Sequence, residues 1–252
     1  MFFIKGGILV LRIVNYSKSY KNGHKAVDQL SLEVSPGEIY GFIGHNGAGK
    51  TTTIKAIVGI LELTEGDIFI GGHSIKTEPL LCKRDLAYIP DNPDLYDSFT
   101  GIDYLNFIAD LFGMTTDERE KQIKKYSEAF ELTPYLGDLI TSYSHGMKQK
   151  LALISAFIHS PKLLVLDEPF VGLDPKASHT LKQLMRKFCD NGSAIFFSTH
   201  VLEVAEKLCD QIAIIKAGKL MAKGKVADVI GNQSLENVFM ELIDDESLSN
   251  IN

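Results

Sequence analysis

Residues 44–51 read Gly-His-Asn-Gly-Ala-Gly-Lys-Thr, a glycine-rich run closed by a lysine and a hydroxyl. The spacing G-x-x-x-x-G-K-[ST] suits one kind of chemistry, the holding of nucleotide phosphates. Gly44, Gly47 and Gly49 let the backbone wrap closely around phosphate oxygens, with His45, Asn46 and Ala48 between them. Lys50 is expected at the β- and γ-phosphates and the Thr51 hydroxyl on Mg²⁺, with Thr52 beside it. An apolar run, Ile39–Ile43, leads in as a strand, and a helix over Thr51–Val58 leads out. The loop therefore sits at a helix start, where free N–H groups and the positive dipole end attract anions. Alone it implies only nucleoside triphosphate binding, which kinases, GTPases and motor ATPases share.

Three further constellations narrow this. Leu163–Leu166 is a buried strand ending in Asp167-Glu168-Pro169. Adjacent acids at a buried strand end are costly without a task. Strand alternation points them in different directions, so Asp167 can support the Mg²⁺ shell while Glu168 faces an attacking water. Tyr143-Ser144-His145-Gly146-Met147-Lys148-Gln149 opens a helix over Gly146–Ile158, a second anion-binding helix start capped by Ser144. One phosphate loop cannot use both starts on the same face, which points to a second chain. Ser198-Thr199-His200 follows the strand Ala194–Phe197, so His200 is either a γ-phosphate contact or a structural histidine. Gly172-Leu173-Asp174-Pro175 is by itself a turn before a helix.

The elements that position these groups alternate. Ile39–Ile43, Leu163–Leu166, Ala194–Ser198 and Ile212–Ile215 read as buried strands, with helices over Thr51–Val58, Lys176–Cys189 and Val201–Leu208. The fold class is α/β with a largely parallel sheet. Leu11–Val34 and Asp67–Ile75 read as an antiparallel flank. Gly101–Phe112, Glu118–Phe130 and Gly146–Ile158 carry helical spacing and form an inserted helical region. After Gly224 come a helix over Leu235–Ile243 and a frayed acidic stretch, Asp244–Glu246.

Composition bounds the rest. At 252 residues the chain folds without staples, and no run approaches the ~18 apolar residues of a membrane span. No signal peptide is legible at Met1–Leu11. Cys82, Cys189 and Cys209 contain no Cys-x-x-Cys pair, against a zinc site. Of the net charge of −6, residues 223–252 contribute −4, two lysines against six acids, which leaves −2 for the body. No basic stripe for duplex nucleic acid exists.

In this order, the motifs resemble the ATP-binding subunit of an ATP-binding-cassette (ABC) transporter over about Leu11 to Lys223. The family's signature segment looks like Tyr143–Met147, its D-loop like Gly172–Asp174, its switch histidine like His200, and its adenine-stacking aromatic like Tyr20. The resemblance implies a P-loop NTPase core over residues 11–91 and 160–223, a helical subdomain over 92–159, and an acidic tail over 224–252. It implies ATP and Mg²⁺ as cofactors, Glu168 and His200 as catalytic residues, and Thr51 and Asp167 as metal ligands. Ser144, His145, Gly146 and Met147, with the D-loop Asp174, would face the other subunit's ATP in a head-to-tail homo- or heterodimer. Separate integral membrane subunits would dock on the helical subdomain, which places the chain peripherally on the cytoplasmic face of the cell membrane. The tail segment Ser234–Leu242 and the run Gly146–Lys150 are similar to the bacterial exporter-like ABC-2 group.

Four features depart from the pattern. Asp91 stands where the family's Q-loop carries glutamine, and either touches Mg²⁺ or its water, or only caps a hinge. His145 replaces a glycine and Met147 a glutamine; His145 either brings a titratable group to the sandwich or points away. Residues Met1–Val10 precede the usual start. Lys5-Gly6-Gly7 matches what a ribosome-binding site would encode, so translation starts at Leu9, Val10 or Leu11, or else the segment is a short strand extension. The rival readings are a soluble ABC-type ATPase acting on nucleic acid or ribosomes, a small-molecule kinase, and a non-catalytic cassette.

Overall fold

Runs of β-branched and aromatic residues form two sheets. The computed structural model describes residues 9–20 and 23–244. Among them, the larger sheet has the order β10-β9-β3-β8-β7-β6. Its members are β3 (Ile39–Ile43), β6 (Leu86–Ile89), β7 (Leu163–Asp167), β8 (Ala194–Thr199), β9 (Gln211–Lys216) and β10 (Lys219–Lys225). All pairings are parallel except that of the edge strand β10. Every residue of β3, β7 and β8 is buried, which is why these strands read as continuous apolar runs rather than alternating ones.

The smaller sheet is antiparallel, in the order β2-β1-β4-β5, from β1 (Leu11–Ser19), β2 (Lys25–Val34), β4 (Glu65–Ile70) and β5 (His73–Ser74). Its apolar face, with Leu11, Ile13, Leu32 and Ile68, packs with Tyr40, Phe42 and Phe196 of the larger sheet and with Ile54 of α1 (Lys50–Ile57). The flank expected from the glycine-bounded strands is this sheet. The short helix α2 (Pro79–Arg84) precedes β6.

The other face of the larger sheet carries the helical insertion: α3 (Gly101–Leu111), α4 (Thr116–Ala129) and α5 (His145–Ile158). Each helix has a side-chain cap, Thr100, Thr115 and Ser144 respectively, and Thr115 with Glu118 forms a reciprocal capping box. From Leu151 to Ile158 every residue of α5 is buried. Leu151, Leu153 and Phe157 share one apolar cluster with Leu164 and Leu166 of β7 and with Leu181 of α6 (Pro175–Asp190). The insertion is thus continuous with the sheet's core.

Beyond β8 come α7 (Leu202–Leu208), then β9 and β10, then α8 (Val226–Ile230) and α9 (Leu235–Asp244). The tail is more ordered than its acidic composition suggests, because Val226, Leu235 and Phe239 are buried against the core. Of the acidic stretch, Asp244 ends α9, while Asp245 and Glu246 lie outside the described residues, as do Met1–Ile8. The edge strand β10 and helices α2 and α8 had no distinct signal in the sequence. They are short, and β10 is half-exposed with four lysine or glycine positions.

One packing contact sets an acid sensitivity. The His159 imidazole stacks on Phe112 with ring centroids 3.6 Å apart, and its buried Nδ1 has no partner. Burial pushes its pKa down from 6.5 to about 4. Between those values the unfolded chain holds a proton that the folded chain refuses, so stability is lost as pH falls through this window. The upper limit is about 1.4 kcal/mol per pH unit. Urea midpoints at about pH 7 and about pH 5 should therefore diverge less in His159→Phe than in wild type. Equal divergence in the two proteins would rule this contact out as a cause.

Candidate functional site

The C-terminal ends of neighbouring parallel strands share one edge of the sheet, where open α/β proteins form crevices. The order β3-β8-β7-β6 therefore gathers residues that are far apart in sequence. The loop at 44–49 follows β3, Asp167 and Glu168 end β7, His200 follows β8, and Asp91 follows β6. Register brings Ile43 beside Thr199 and Asp167 beside Ser198.

The result is a cleft of about 510 Å³. It is lined by Tyr20, His45, Asn46, Gly47, Gly49, Lys50, Thr51, Thr52, Asp91, Asp167 and Glu168. His24 and Ala26 also line it, and neither was singled out from sequence. Their only sequence signal is position, a few residues after Tyr20 at the turn into β2. Tyr20 is half-exposed, and its hydroxyl lies 3.3 Å from Thr52 Oγ1, which fixes an aromatic face at the mouth.

Two glycines of the loop are required for a reason other than phosphate. A Cβ on Gly44 would stand 2.5 Å from the Ile215 carbonyl oxygen, and one on Gly49 would collide with the Ala26 carbonyl. Gly49 also has φ of +110°, which L side chains rarely adopt. Close packing on β9 and β2 thus accounts for both, whereas a Cβ on Gly47 would meet open space.

Lys50 is buried and donates to the carbonyls of Gly44 at 2.6 Å and His45 at 3.2 Å. Its Nζ lies 3.9 Å from Glu168 Oε1. Burial lowers the ammonium's pKa, and the Glu168 and Asp167 carboxylates offset part of this. A phosphate anion at the loop would oppose the same burial effect.

The two acids diverge as expected but not by strand alternation, because β7 ends at Asp167 and the chain turns at Glu168. Asp167, buried, accepts from the Thr51 hydroxyl at 3.1 Å and from the Ser198 hydroxyl. Glu168 turns the other way, toward His200, whose Nδ1 is 2.9 Å from Glu168 Oε1. The His200 backbone N–H points at Glu168 Oε2 at 3.4 Å. Glu168 has φ of +49°, a left-handed conformation costing of order 1–3 kcal/mol that concentrates at functional positions. A carboxylate held between an ammonium and an imidazole at the wall of a cleft can polarise a water. Asp91 is exposed at the cleft, and burial together with the Asp167 and Asp91 carboxylates pushes the neighbouring Tyr88 phenol up to about 12.

The remaining expected residues stand apart. Ser144, His145, Gly146 and Met147 do not line the cleft, and neither does Asp174. Ser144 caps α5 by accepting from the Met147 N–H at 3.3 Å. The His145 ring lies against Gly172, where a Cβ would stand 2.5 Å from it. Asp174 caps α6 through the Ala177 N–H at 2.8 Å and pairs with Lys150 at 3.0 Å, and these contacts lower its pKa in that order. The helix start at Ser144 and the turn at Gly172–Asp174 thus form one exposed unit.

Among the described residues no helix is long and apolar enough to cross a membrane. Comparison with known proteins gives the family. The family described as ABC transporter matches residues 27–171. The ABC transporter ATP-binding protein YhcH of Bacillus subtilis is 38% identical over 220 residues, 87% of this chain and 71% of that protein. The linearmycin resistance ATP-binding protein LnrL of the same organism is 33% identical over 221 residues, covering 87% and 70%. A solved structure described as the ATP binding subunit of an ABC transporter superposes with a TM-score of 0.89 at 35% identity, covering 93% of this chain and 99% of that one. A phosphate loop, a carboxylate pair and a histidine on one sheet edge, in a chain with these relatives, make it a member of the ABC transporter family, an ATP-binding subunit that hydrolyses ATP.

Proposed function

We propose that two such subunits close head to tail around two ATP molecules and drive export through separate membrane-spanning subunits. The observation that carries this reading is the division of the motifs. Residues 45–47 and 49–52 with Asp91, Asp167 and Glu168 line the cleft, His200 reaches it only through Glu168, and Ser144–Met147 with Asp174 sit outside it at the starts of α5 and α6. A second subunit presenting those helix starts would complete each nucleotide site.

In this reading Tyr20 stacks on the adenine, and residues 44–52 hold the phosphates, with Lys50 on the β- and γ-phosphates. Glu168 accepts a proton from the attacking water, and His200 contacts the γ-phosphate while orienting Glu168. The Thr51 and Asp167 oxygens suit Mg²⁺, which binds through one or two protein oxygens together with substrate phosphates. When bound, the ion supplies charge neutralisation at the phosphates. We assign residues 11–91 and 160–223 to the ATPase core and 92–159 to the helical subdomain. The packed segment 224–244 belongs with the core.

Membrane subunits would dock beside the Asp91 loop. Tyr96 is largely exposed there and makes ring contacts with Phe99, Tyr104 and Phe107. Such an aromatic patch suits an amphipathic partner segment. The resistance role in the name of LnrL favours outward transport, and the chain would then work peripherally at the cytoplasmic face of the cell membrane. Affinity purification from detergent-solubilised membranes tests this: a polytopic protein should co-purify and stimulate ATP turnover. Co-purification with ribosomes or nucleic acid instead would overturn it.

Asp91 has its own consequence. An acid near the γ-phosphate repels free ATP and is satisfied when the cation is present. The ratio of ATP affinities with and without Mg²⁺ should be larger in wild type than in Asp91→Gln. Equal ratios would assign Asp91 to a hinge instead.

A further inference from the structure

A small apolar cluster lies against the phosphate loop and plays no part in the chemistry above. It joins Ile43, the residue before Gly44, to Ala205 of α7, Ile214 of β9, and Leu235 and Phe239 of α9. Helix α7 is the one that follows His200. The C-terminal helix therefore bridges the entry to the phosphate loop and the exit from the His200 strand.

Both ends of the bridge are specific. The Leu235 N–H donates to Glu206 Oε2 on α7 at 2.8 Å. One turn later, on the same face of α9, Phe239 is 4% exposed. Its ring meets the His45 imidazole edge-on, with centroids 4.9 Å apart at 61°. His45, Asn46 and Gly47 are exposed toward the cleft, so this ring contact braces the loop where it is otherwise open. The His45 carbonyl is also one of the two oxygens that anchor the Lys50 ammonium. A continuous path runs from Phe239 through His45 to Lys50.

We infer that Phe239 is a positioning residue for nucleotide binding: α9 holds His45, and with it the Lys50 ammonium, in the phosphate-accepting arrangement before ATP arrives. The physical basis is preorganisation, since a loop already ordered loses less freedom when it closes on phosphate. The segment Ser234–Leu242 acquires a role by this contact, and Glu206 extends the link to the helix behind His200. This inference rests on the reading of the cleft as the ATP site.

The test measures binding of a non-hydrolysable ATP analogue with Mg²⁺ to the full chain by calorimetry, together with thermal midpoints and steady-state KM and kcat. An aromatic edge contact of this kind corresponds to a loss of about two- to tenfold in affinity. Phe239→Ala should show that loss, with KM raised and kcat changed less. Phe239→Leu, which keeps a buried apolar side chain and removes the ring, should fall between it and wild type, and it carries the test if the alanine variant does not fold. The double variant His45→Ala/Phe239→Ala should bind no more weakly than His45→Ala alone, within about twofold. Wild-type affinity in the Phe239 variants, with only a lowered thermal midpoint, would reduce Phe239 to core filling and overturn the inference. Losses that multiply in the double variant would overturn it too, since the path would then bypass His45. Lys50→Ala separates the two readings. If it abolishes binding while the Phe239 variants do not weaken it, only this inference fails; if Lys50→Ala still binds, the cleft assignment fails.

Discussion

Glu168→Gln should lower ATP turnover by about 10²–10⁴-fold while ATP remains bound. The expectation follows from how Glu168 is held. Its carboxylate stands 2.9 Å from the His200 imidazole and 3.9 Å from the Lys50 ammonium, while the separate carboxylate of Asp167 is engaged by Thr51 and Ser198. Glutamine keeps the shape of the side chain and removes its basicity, so the phosphate contacts survive and proton acceptance does not. Bound ATP that is not consumed should hold two subunits together. Size-exclusion chromatography with ATP and Mg²⁺ should therefore show a dimer in Glu168→Gln that dissipates in wild type as ATP is hydrolysed. Turnover within about tenfold of wild type would remove Glu168 from the role of general base. Monomers only, at saturating ATP, would count against the head-to-tail pair.

Lys50→Ala should act at an earlier step and abolish binding itself. The ammonium is already buried and anchored on the Gly44 and His45 carbonyls, with burial depressing its pKa. It thus meets phosphate with little reorganisation. Two hydrogen bonds between charged groups, at about 1.5–3 kcal/mol each, correspond to a loss of at least about 10²-fold in ATP affinity. The change also removes a donor from the buried Gly44 carbonyl, so a modest loss of stability without nucleotide should accompany it. Calorimetry for affinity and thermal denaturation without nucleotide separate the two effects. Binding within about tenfold of wild type would show that the loop is not the phosphate site.

Much of the candidate site was legible because its residues are local in sequence. The phosphate loop spans eight residues, and its lysine and threonine follow the last glycine directly. Asp167 and Glu168 are adjacent and recognisable as a pair, although the left-handed turn at Glu168 just beyond β7, not strand alternation, separates their directions. The strands flanking them are buried on both faces, which leaves runs such as Leu163–Leu166 without a polar residue. Ser144 sits at a helix start where its side chain accepts from the N–H three residues on, a rule that needs no tertiary contact.

What the residues alone left open has one physical origin: the partners are set by strand order and packing, not by spacing. Thr51 and Asp167 are 116 positions apart and meet only because β3 and β7 flank β8. The choice of His200 for Glu168, and of Ser198 for Asp167, follows from the register of β7 on β8. The glycines at 44 and 49 read as room for phosphate, yet the carbonyls of Ile215 and Ala26 are what exclude a side chain there. The tail shows the limit most clearly. Its sequence supplies an amphipathic helix with an apolar face, and a face names no partner. Burial of Leu235 and Phe239 beside Ile43 turned that face into a brace on His45. Residue chemistry therefore pointed to nucleoside triphosphate binding and the family resemblance to ATP hydrolysis, and the folded arrangement determined which groups hold one another in place.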